Sequence, residues 1–316
     1  AILPLLGIGG RQMFKAETPG PMKDSKMTPR MAETAKRLWV VYTLISVCCS
    51  LGYRWAGMTW LDAIMHMFST MGLGGFSSHD ASYGFFDSPA IEAVAVLFML
   101  IAGCNFATHY VVLSGRTLRP YTTDPEAGWF LLVTIGSVVG IAIFLGVHEV
   151  YPAFSEALRF SAFNVVSIAT TTGFANTDYA LWPFFAPLWM LFLCSFATSA
   201  GSTGGGIKMI RAIVLYKQVY RELARAMHPN AVHPIRIGSE VVPPNILFAV
   251  LAFGFVYMVC IVSMTLVLSL SGLEIITAFS AVIASINNTG PGLGQVGPAN
   301  NYSVLTDFQT WVCTFA

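Results

Sequence analysis

Apolar side chains dominate this chain of 316 residues, in which hydrophobic residues make up 55% and charged residues only 10%. A soluble domain carries about 25% charged residues. The composition and the mean hydropathy of +0.66 therefore indicate a polytopic membrane protein. The net charge of +1 does not indicate a nucleic-acid partner. The apolar residues 1–10 lack the flanking features of a signal peptide. The chain begins without Met and ends in an apolar run, so we expect an internal fragment.

Five apolar stretches are long enough to cross a bilayer, which takes about 20 residues each. They cover residues 38–56, 91–113, 128–147, 246–270 and, with an interruption, 184–220; a sixth begins near Val304. Three shorter segments lie between them, at residues 60–70, 153–170 and 273–287. An eleven-residue helix rises about 16 Å, half of a bilayer. We therefore predict that these short segments enter the membrane and return on the same side.

Each short segment runs into a glycine-bearing hairpin. The hairpins are Leu73, Gly74 and Gly75, then Thr171, Thr172 and Gly173, then Asn288, Thr289 and Gly290. Non-helical backbone at membrane depth persists only where protein buries it or where it lines a water-filled path, which favours a pore over simple tight turns. Glycine permits positive φ, so consecutive carbonyls can face one axis and replace the water shell of an ion. The hairpins carry no acidic residue, which favours a large monovalent cation.

The order of span, half-helix, hairpin and span repeats along the chain. We assign residues 1–10 to the end of a first repeat, 38–115 to the second, 128–220 to the third and 246–316 to a truncated fourth, with connecting segments at 11–37, 116–127 and 221–245. Four such units can close a ring around one ion. All Lys and Arg residues except Arg54 and Arg159 lie in residues 11–37, 116–119 and 208–236. The positive-inside rule makes those segments cytoplasmic and opens the hairpins to the outer face.

A second irregular segment, the glycine-rich loop (residues 195–208), interrupts the last span of the third repeat. Its candidate residues are Ser195, Ala200, Gly201, Ser202, Thr203, Gly204, Gly205 and Gly206. A phosphate-binding loop is excluded because Ile207 follows Gly206 and no strand precedes the segment. We predict a mobile loop that obstructs the path beneath the hairpins, with Lys208 setting the charge at the inner mouth. Small-residue helix packing and a snorkelling lysine are the alternatives.

The other reactive side chains give weaker indications. Six cysteines lie in apolar segments without metal-ligand spacing and are predicted to be buried, inert thiols. His228 and His233 flank prolines without a nearby carboxylate, which favours an exposed turn over a metal site. His79 and Asp80 follow the first hairpin and either attract cations or anchor their loop. No nucleophile and base pair is apparent, so we predict that the protein is not an enzyme.

Five strings, STMGLGGFSSHDAS, IATTTGFANTD, SAGSTGGGIKMIR, HPNAV and NNTGPGLG, closely resemble the Trk-type bacterial potassium uptake subunits, the TrkH branch of the superfamily that includes Ktr and HKT transporters. The resemblance runs from end to end. It implies an all-α membrane fold of M1-P-M2 repeats, with re-entrant pore helices and filter loops, pseudo-fourfold around a single pore. It also implies that the nine hairpin residues form the potassium filter and that residues 195–206 form an intramembrane gating loop.

The resemblance further implies a homodimer in the bacterial inner membrane, with the filter mouths facing the periplasm. Potassium would be the only metal ion, bound by backbone carbonyls during transport, with no covalent cofactor. A cytosolic TrkA-like regulatory subunit would bind a nucleotide of the NAD or ATP class and dock on the basic loops. Two family features are absent from this sequence: the filter of the first repeat and the basic residue of the last M2 helix.

Two rival functions remain open from the sequence. The first is a secondary transporter coupled to H⁺ or Na⁺, in which broken helices form a midplane site; inverted repeats would be expected, whereas the charges give every unit the same orientation. The second is a membrane enzyme that binds a phosphorylated lipid at residues 201–208. That function would need acidic or histidine residues clustered at nearby helix ends, and the sequence shows none.

Overall fold

The predicted all-α fold is confirmed. The structure, a computed structural model, describes residues 31–228, 233–238 and 240–316. Within these ranges the helices are α1 (Met31–Trp55), α2 (Trp60–Gly72), α3 (Pro89–Gly103), α4 (Phe106–Gly115), α5 (Arg119–Thr123), α6 (Pro125–Val147), α7 (Phe154–Ala169), α8 (Phe185–Cys194), α9 (Met209–Met227), α10 (Pro244–Leu270), α11 (Ile275–Ile286) and α12 (Asp307–Phe315). Two short strands, β1 (Arg236–Ile237) and β2 (Glu240–Val241), pair antiparallel between α9 and α10.

Three of the helices are long and apolar enough to cross a membrane: residues 35–55 of α1, all of α6 and all of α10. They correspond to the predicted spans at 38–56, 128–147 and 246–270. Local sequence fixes where α6 begins, since the Asp124 side chain accepts a hydrogen bond from the Glu126 N–H and Pro125 occupies the first turn. The prediction of membrane-crossing helices therefore agrees with the structure for these three segments.

The span predicted over residues 91–113 needs correction, because it consists of two helices. Helices α3 and α4 meet at an angle of 97°. Cys104 is extended, and Asn105 caps α4 by accepting a hydrogen bond from the Ala107 N–H at 2.8 Å. The Phe106 N–H donates to the carbonyl of Gly201, at 3.2 Å, in the glycine-rich loop. The break is thus stabilised by a distant segment.

The three short segments form the half-helices α2, α7 and α11, each followed by non-helical backbone. They match the predicted segments to within a few residues. Acidic residues lie at their beginnings, Asp62 and Glu156 in the first turns and Glu274 at the N-cap of α11. Negative charge stabilises the N-terminal end of a helix, whose dipole is positive there. The opposite, partly negative ends therefore point toward the hairpins.

Helices of successive units pack together around these half-helices. Helix α2 lies against α1 and α3, α7 lies against α6, α3 and α8, and α11 lies against α10, α12 and α8. On the side where the half-helices begin, Arg159 of α7 donates two hydrogen bonds of 2.8 Å to Glu92 of α3 and one of 2.8 Å to Asp87. Glu92 is buried, so this ion pair joins the second and third units.

Several predictions fall partly or wholly outside the described residues. The tail of a first repeat (residues 1–10) and most of the segment 11–37 lie outside them, as do residues 229–232 of the histidine turn. The prediction of buried cysteines is correct for Cys49, Cys104 and Cys194. It is wrong for Cys48, which is exposed on α1, and Cys260 and Cys313 are only partly buried. An exposed apolar helix face is expected where lipid, rather than protein, covers it.

Candidate functional site: three hairpins and the glycine-rich loop

The three hairpins repeat one backbone conformation. Their first residues, Leu73, Thr171 and Asn288, have φ angles of 49°, 59° and 54°. Their third residues, Gly75, Gly173 and Gly290, have φ angles of 71°, 90° and 97°. The left-handed region disfavours L-amino acids other than Gly and, to a lesser extent, Asn or Asp. Its adoption by Leu73 and Thr171 shows that the surrounding structure imposes this turn.

The same hydrogen bond closes each half-helix. The N–H of the middle hairpin residue donates to the carbonyl five positions earlier, at 2.8 Å in every case; the pairs are Gly74 with Ser69, Thr172 with Ser167, and Thr289 with Ala284. The bond satisfies one of the orphan carbonyls at the C-terminal end of a helix. The conformation of each hairpin is therefore set mainly by the half-helix to which it belongs.

The hairpins also abut one another in chain order. A Cβ added at Gly75 would lie 2.1 Å from the carbonyl oxygen of Thr172, and one added at Gly173 would lie 2.0 Å from that of Thr289. A Cβ at Gly290 would meet nothing within 4 Å among the residues that the structure describes. The three hairpins thus form consecutive parts of an arc in which glycine permits close contact with a neighbouring carbonyl. The arc is open on the side of Gly290.

The glycine-rich loop lies across the C-terminal ends of all three half-helices. The Thr203 hydroxyl donates to the carbonyl of Met71 at 2.9 Å, at the end of α2. A Cβ at Gly204 would lie 2.9 Å from the Thr170 carbonyl oxygen, and one at Gly205 would lie 1.9 Å from that of Asn287. The loop therefore occupies the space directly beneath the arc, and two of its glycines are required by contact with half-helix carbonyls.

Further bonds attach the loop to the second and third units. The Gly205 N–H donates to the Thr171 hydroxyl at 2.7 Å. The Ser199 N–H donates to the Gly103 carbonyl at 3.0 Å, beside the break between α3 and α4. The Thr198 hydroxyl donates to the Gly205 carbonyl at 2.9 Å and shapes the loop internally. The loop is therefore fixed by polar contacts with several elements.

Lys208 folds back onto the loop. Its φ of 77° turns the chain at the start of α9, and its ammonium donates to the carbonyl of Gly204. A longer contact of 3.4 Å joins the same nitrogen to the Ser202 hydroxyl. This geometry differs from that of a snorkelling lysine, which would extend toward water. The positive charge instead lies within the loop itself, bonded to residues four and six positions earlier in the chain.

A polar cluster lies at the beginning of α2. Asp62 accepts hydrogen bonds from the hydroxyls of Thr59 and Ser78, at 2.7 and 2.8 Å, and its Oδ1 lies 3.1 Å from Nε2 of His79. The hydrogen bond from Thr59 lowers the pKa of Asp62, and those from Ser78 and His79 act in the same direction. His79 therefore anchors this loop, which is one of the two roles predicted for it from the sequence. The Asp80 side chain is exposed.

The sequence did not predict a role for Glu126, a buried carboxylate near the glycine-rich loop. Glu126, at the beginning of α6, is 1% exposed and accepts hydrogen bonds from the backbone of the chain on both sides of the glycine run. In the sequence it follows Asp124 and Pro125 and is typical of a helix start. Among the residues that the structure describes, no group of three or more His, Cys, Asp or Glu side chains is placed to bind a metal ion.

Comparison with known proteins decides the family. The profile of the family described as TrkH, cation transport protein, matches residues 1–313. This chain belongs to the TrkH family. The resemblance seen in the sequence is therefore confirmed, and membership of a transport family agrees with the prediction that the chain is not an enzyme.

Within the TrkH family, two relatives named Trk system potassium uptake protein TrkH, from Salmonella typhimurium and Vibrio parahaemolyticus, are 47% and 44% identical over 99% of this chain. The chain spans 64% of the length of each of these relatives. The crystal structure of the potassium transporter TrkH from Vibrio parahaemolyticus matches with a TM-score of 0.86 at 41% identity, over 99% of this chain and 63% of that one. The match to a solved helical transporter supports the fold described above.

Proposed function

We propose that the full-length protein takes up potassium through a ring of four hairpins, of which this chain supplies three. The observation that carries the proposal is the arc: the three hairpins share one pattern of positive φ angles, and Gly75 and Gly173 each lie against the carbonyl of the next hairpin. The open side at Gly290 leaves room for a fourth hairpin. The filter would then consist of the carbonyls of the nine predicted hairpin residues.

The chemistry of the arc suits a dehydrated monovalent cation. Backbone carbonyls replace the water shell of an ion without adding fixed charge. The half-helices α2, α7 and α11 direct their partly negative ends toward the arc, which favours a cation there. The ionised Asp62 carboxylate lies at the opposite end of α2 and is bonded within its own loop. Cation selection is thus assigned to the backbone.

The glycine-rich loop would act as the gate. In this conformation it contacts the carbonyls of Met71 and Asn287 and bonds to Thr171, so an ion leaving the arc would meet it. Conduction requires that residues 201–206 move aside. The ammonium of Lys208, bonded to Gly204, adds a positive charge that repels a cation in the closed conformation.

We also propose the assembly and orientation that the family resemblance implies. Two copies would associate in the bacterial inner membrane, with the hairpins facing the periplasm and the basic segments in the cytosol. The basic residues of 208–236 support this orientation through the positive-inside rule. A cytosolic subunit that binds a nucleotide would dock on these segments and move the loop.

The test is the uptake of radioactive rubidium by proteoliposomes that contain the full-length protein. Uptake should be inhibited by K⁺ far more than by Na⁺ and should follow the membrane voltage in the absence of any H⁺ or Na⁺ gradient. The Gly173→Ala variant should lose this discrimination, because its Cβ would meet the Thr289 carbonyl. Unchanged discrimination would exclude the filter assignment, and uptake that requires an H⁺ or Na⁺ gradient would favour a coupled transporter.

A further inference from the structure

Glu126 joins the chain on the two sides of residues 201–208 of the glycine-rich loop through a single oxygen atom. Its Oε1 accepts a hydrogen bond from the Ala200 N–H at 2.9 Å and another from the Ile210 N–H at 3.0 Å. Ala200 immediately precedes the glycine run, and Ile210 lies in the first turn of α9. The side chain is 1% exposed, so no water competes for these two donors.

The bond to Ile210 also solves a problem of helix capping. The first N–H groups of a helix have no partner inside the helix and need an acceptor. Lys208 occupies the N-cap position of α9, and its side chain provides no capping hydrogen bond. Glu126 supplies the acceptor from another helix, and a carboxylate is the favoured group at the positive end of a helix dipole. A side chain of helix α6 therefore caps the N-terminus of helix α9.

The charges around Glu126 favour the same arrangement. The ionisable groups that interact with it are Asp124 and Lys208, with Cys104 close by. Asp124 directs its oxygens to the Glu126 N–H and to the Thr108 hydroxyl, away from the loop. Lys208 belongs to the loop, so its ammonium and the Glu126 carboxylate attract one another while the loop is closed. Opening the loop separates or weakens these contacts.

We propose that Glu126 is a positioning residue that fixes both ends of the glycine-rich loop and so stabilises the closed gate. The proposal rests on the gating function proposed above. Hydrogen bonds to a charged acceptor are roughly twice as strong as neutral ones, and here one carboxylate accepts from two backbone donors. Loss of the carboxylate therefore releases the loop at Ala200 and at the start of α9 together.

The test compares rubidium flux through the full-length protein without its regulatory partner. We expect Glu126→Leu, which removes the acceptor at similar size, to raise basal flux about tenfold, the factor that corresponds to losing about 1.4 kcal/mol of preference for the closed state. Glu126→Gln retains a neutral acceptor and should raise it by a smaller factor. The control is Glu92→Gln, which alters another buried carboxylate, one that is bonded to Arg159 and not to the loop, and should leave basal flux unchanged.

Measuring the preference for K⁺ over Na⁺ distinguishes a positioning role of Glu126 from misfolding of the variants. Both Glu126 variants should keep the wild-type preference for K⁺ over Na⁺, since Glu126 does not contact the hairpins, whereas a misfolded protein would lose it. Basal flux that stays at the wild-type level in Glu126→Gln and Glu126→Leu would overturn the proposal. Deletion of residues 201–206 in parallel distinguishes the two failures: if the deletion raises flux and the Glu126 variants do not, only the anchor is wrong. If neither raises flux, the gate itself is wrong.

Discussion

The hairpins and the glycine-rich loop are both irregular, glycine-bearing segments, but they are stabilised in opposite ways. Each hairpin is closed by a bond to its own half-helix, as Gly74 is to Ser69 and Thr172 to Ser167. The loop takes its bonds from elements far along the chain, at Met71 and Gly103 of the second unit and at Glu126 in the first turn of α6. Local bonds persist as long as the helix does, whereas long-range bonds can be broken together without unfolding any helix.

Under the proposed function, this difference suits the hairpins to a fixed role in ion selection and the loop to a movable role in gating. Ion selection needs carbonyls whose positions do not depend on the state of the gate. Gating needs a segment with two discrete arrangements, and the loop can leave its contacts while α8 and α9 stay intact. Variants that separate the two roles test this comparison, and the expected effect decreases from Gly75 to Gly205 to Lys208.

Gly75→Ala should have the largest effect. The added Cβ would lie 2.1 Å from the Thr172 carbonyl oxygen at a φ of +71°, so the substitution combines steric overlap with about 1–3 kcal/mol of backbone strain. We expect a loss of about tenfold or more in K⁺ over Na⁺ discrimination, measured as permeability ratios in reconstituted bilayers. Gly72→Ala is the control, because a Cβ there meets nothing within 4 Å. Equal selectivity in both variants would contradict the contact between hairpins.

Gly205→Ala should act on the gate and not on selection. Its Cβ would lie 1.9 Å from the Asn287 carbonyl oxygen, so the closed loop must shift away from the third half-helix. We expect basal rubidium flux to rise several-fold with the K⁺ preference retained. The control is Gly128→Ala in α6, where a Cβ has no neighbour within 4 Å. A Gly205→Ala variant with a weaker K⁺ preference and unchanged basal flux would contradict the proposed roles, because it would place the loop in ion selection.

Lys208→Met should produce the smallest of the three effects. The variant keeps the length of the side chain but loses the ammonium that bonds to Gly204 and Ser202. This donor bonds within the loop and not to a half-helix, so its loss leaves the contacts of the loop with the half-helices in place, and basal flux should rise by less than in Gly205→Ala. Lys217→Met, on the exposed bond to Arg236, is the matched control. Equal basal flux in Lys208→Met and Lys217→Met would show that Lys208 has no role in gating.

Local sequence signals predicted the parts of the site that are locally stabilised. The half-helices follow from their apolar length and acidic starts, and the hairpin register follows from Gly75, Gly173 and Gly290. The break between α3 and α4 was missed because its local signal, the Asn105 cap, lies in a continuous apolar run. Its stabilising bond comes from Gly201, far along the chain.

Glu126 was missed for the same physical reason. A glutamate in the first turn of a helix is ordinary, and the role proposed for Glu126 depends on Ala200 and Ile210, which are 74 and 84 residues away. Burial of Glu126 and its two donors are tertiary properties, so no window of the sequence contains them. The exposure of Cys48 on α1 likewise depends on which helix face the protein covers.

The most direct test of separable selection and gating is the K⁺/Na⁺ permeability ratio of the full-length protein after deletion of residues 201–206. The measurement uses reversal potentials in planar bilayers, without the regulatory partner. The predicted result is a larger basal current with the wild-type ratio, because the hairpins keep the bonds to their own half-helices. A larger current with a ratio near one would contradict the account, since it would show that the loop itself is needed for ion selection.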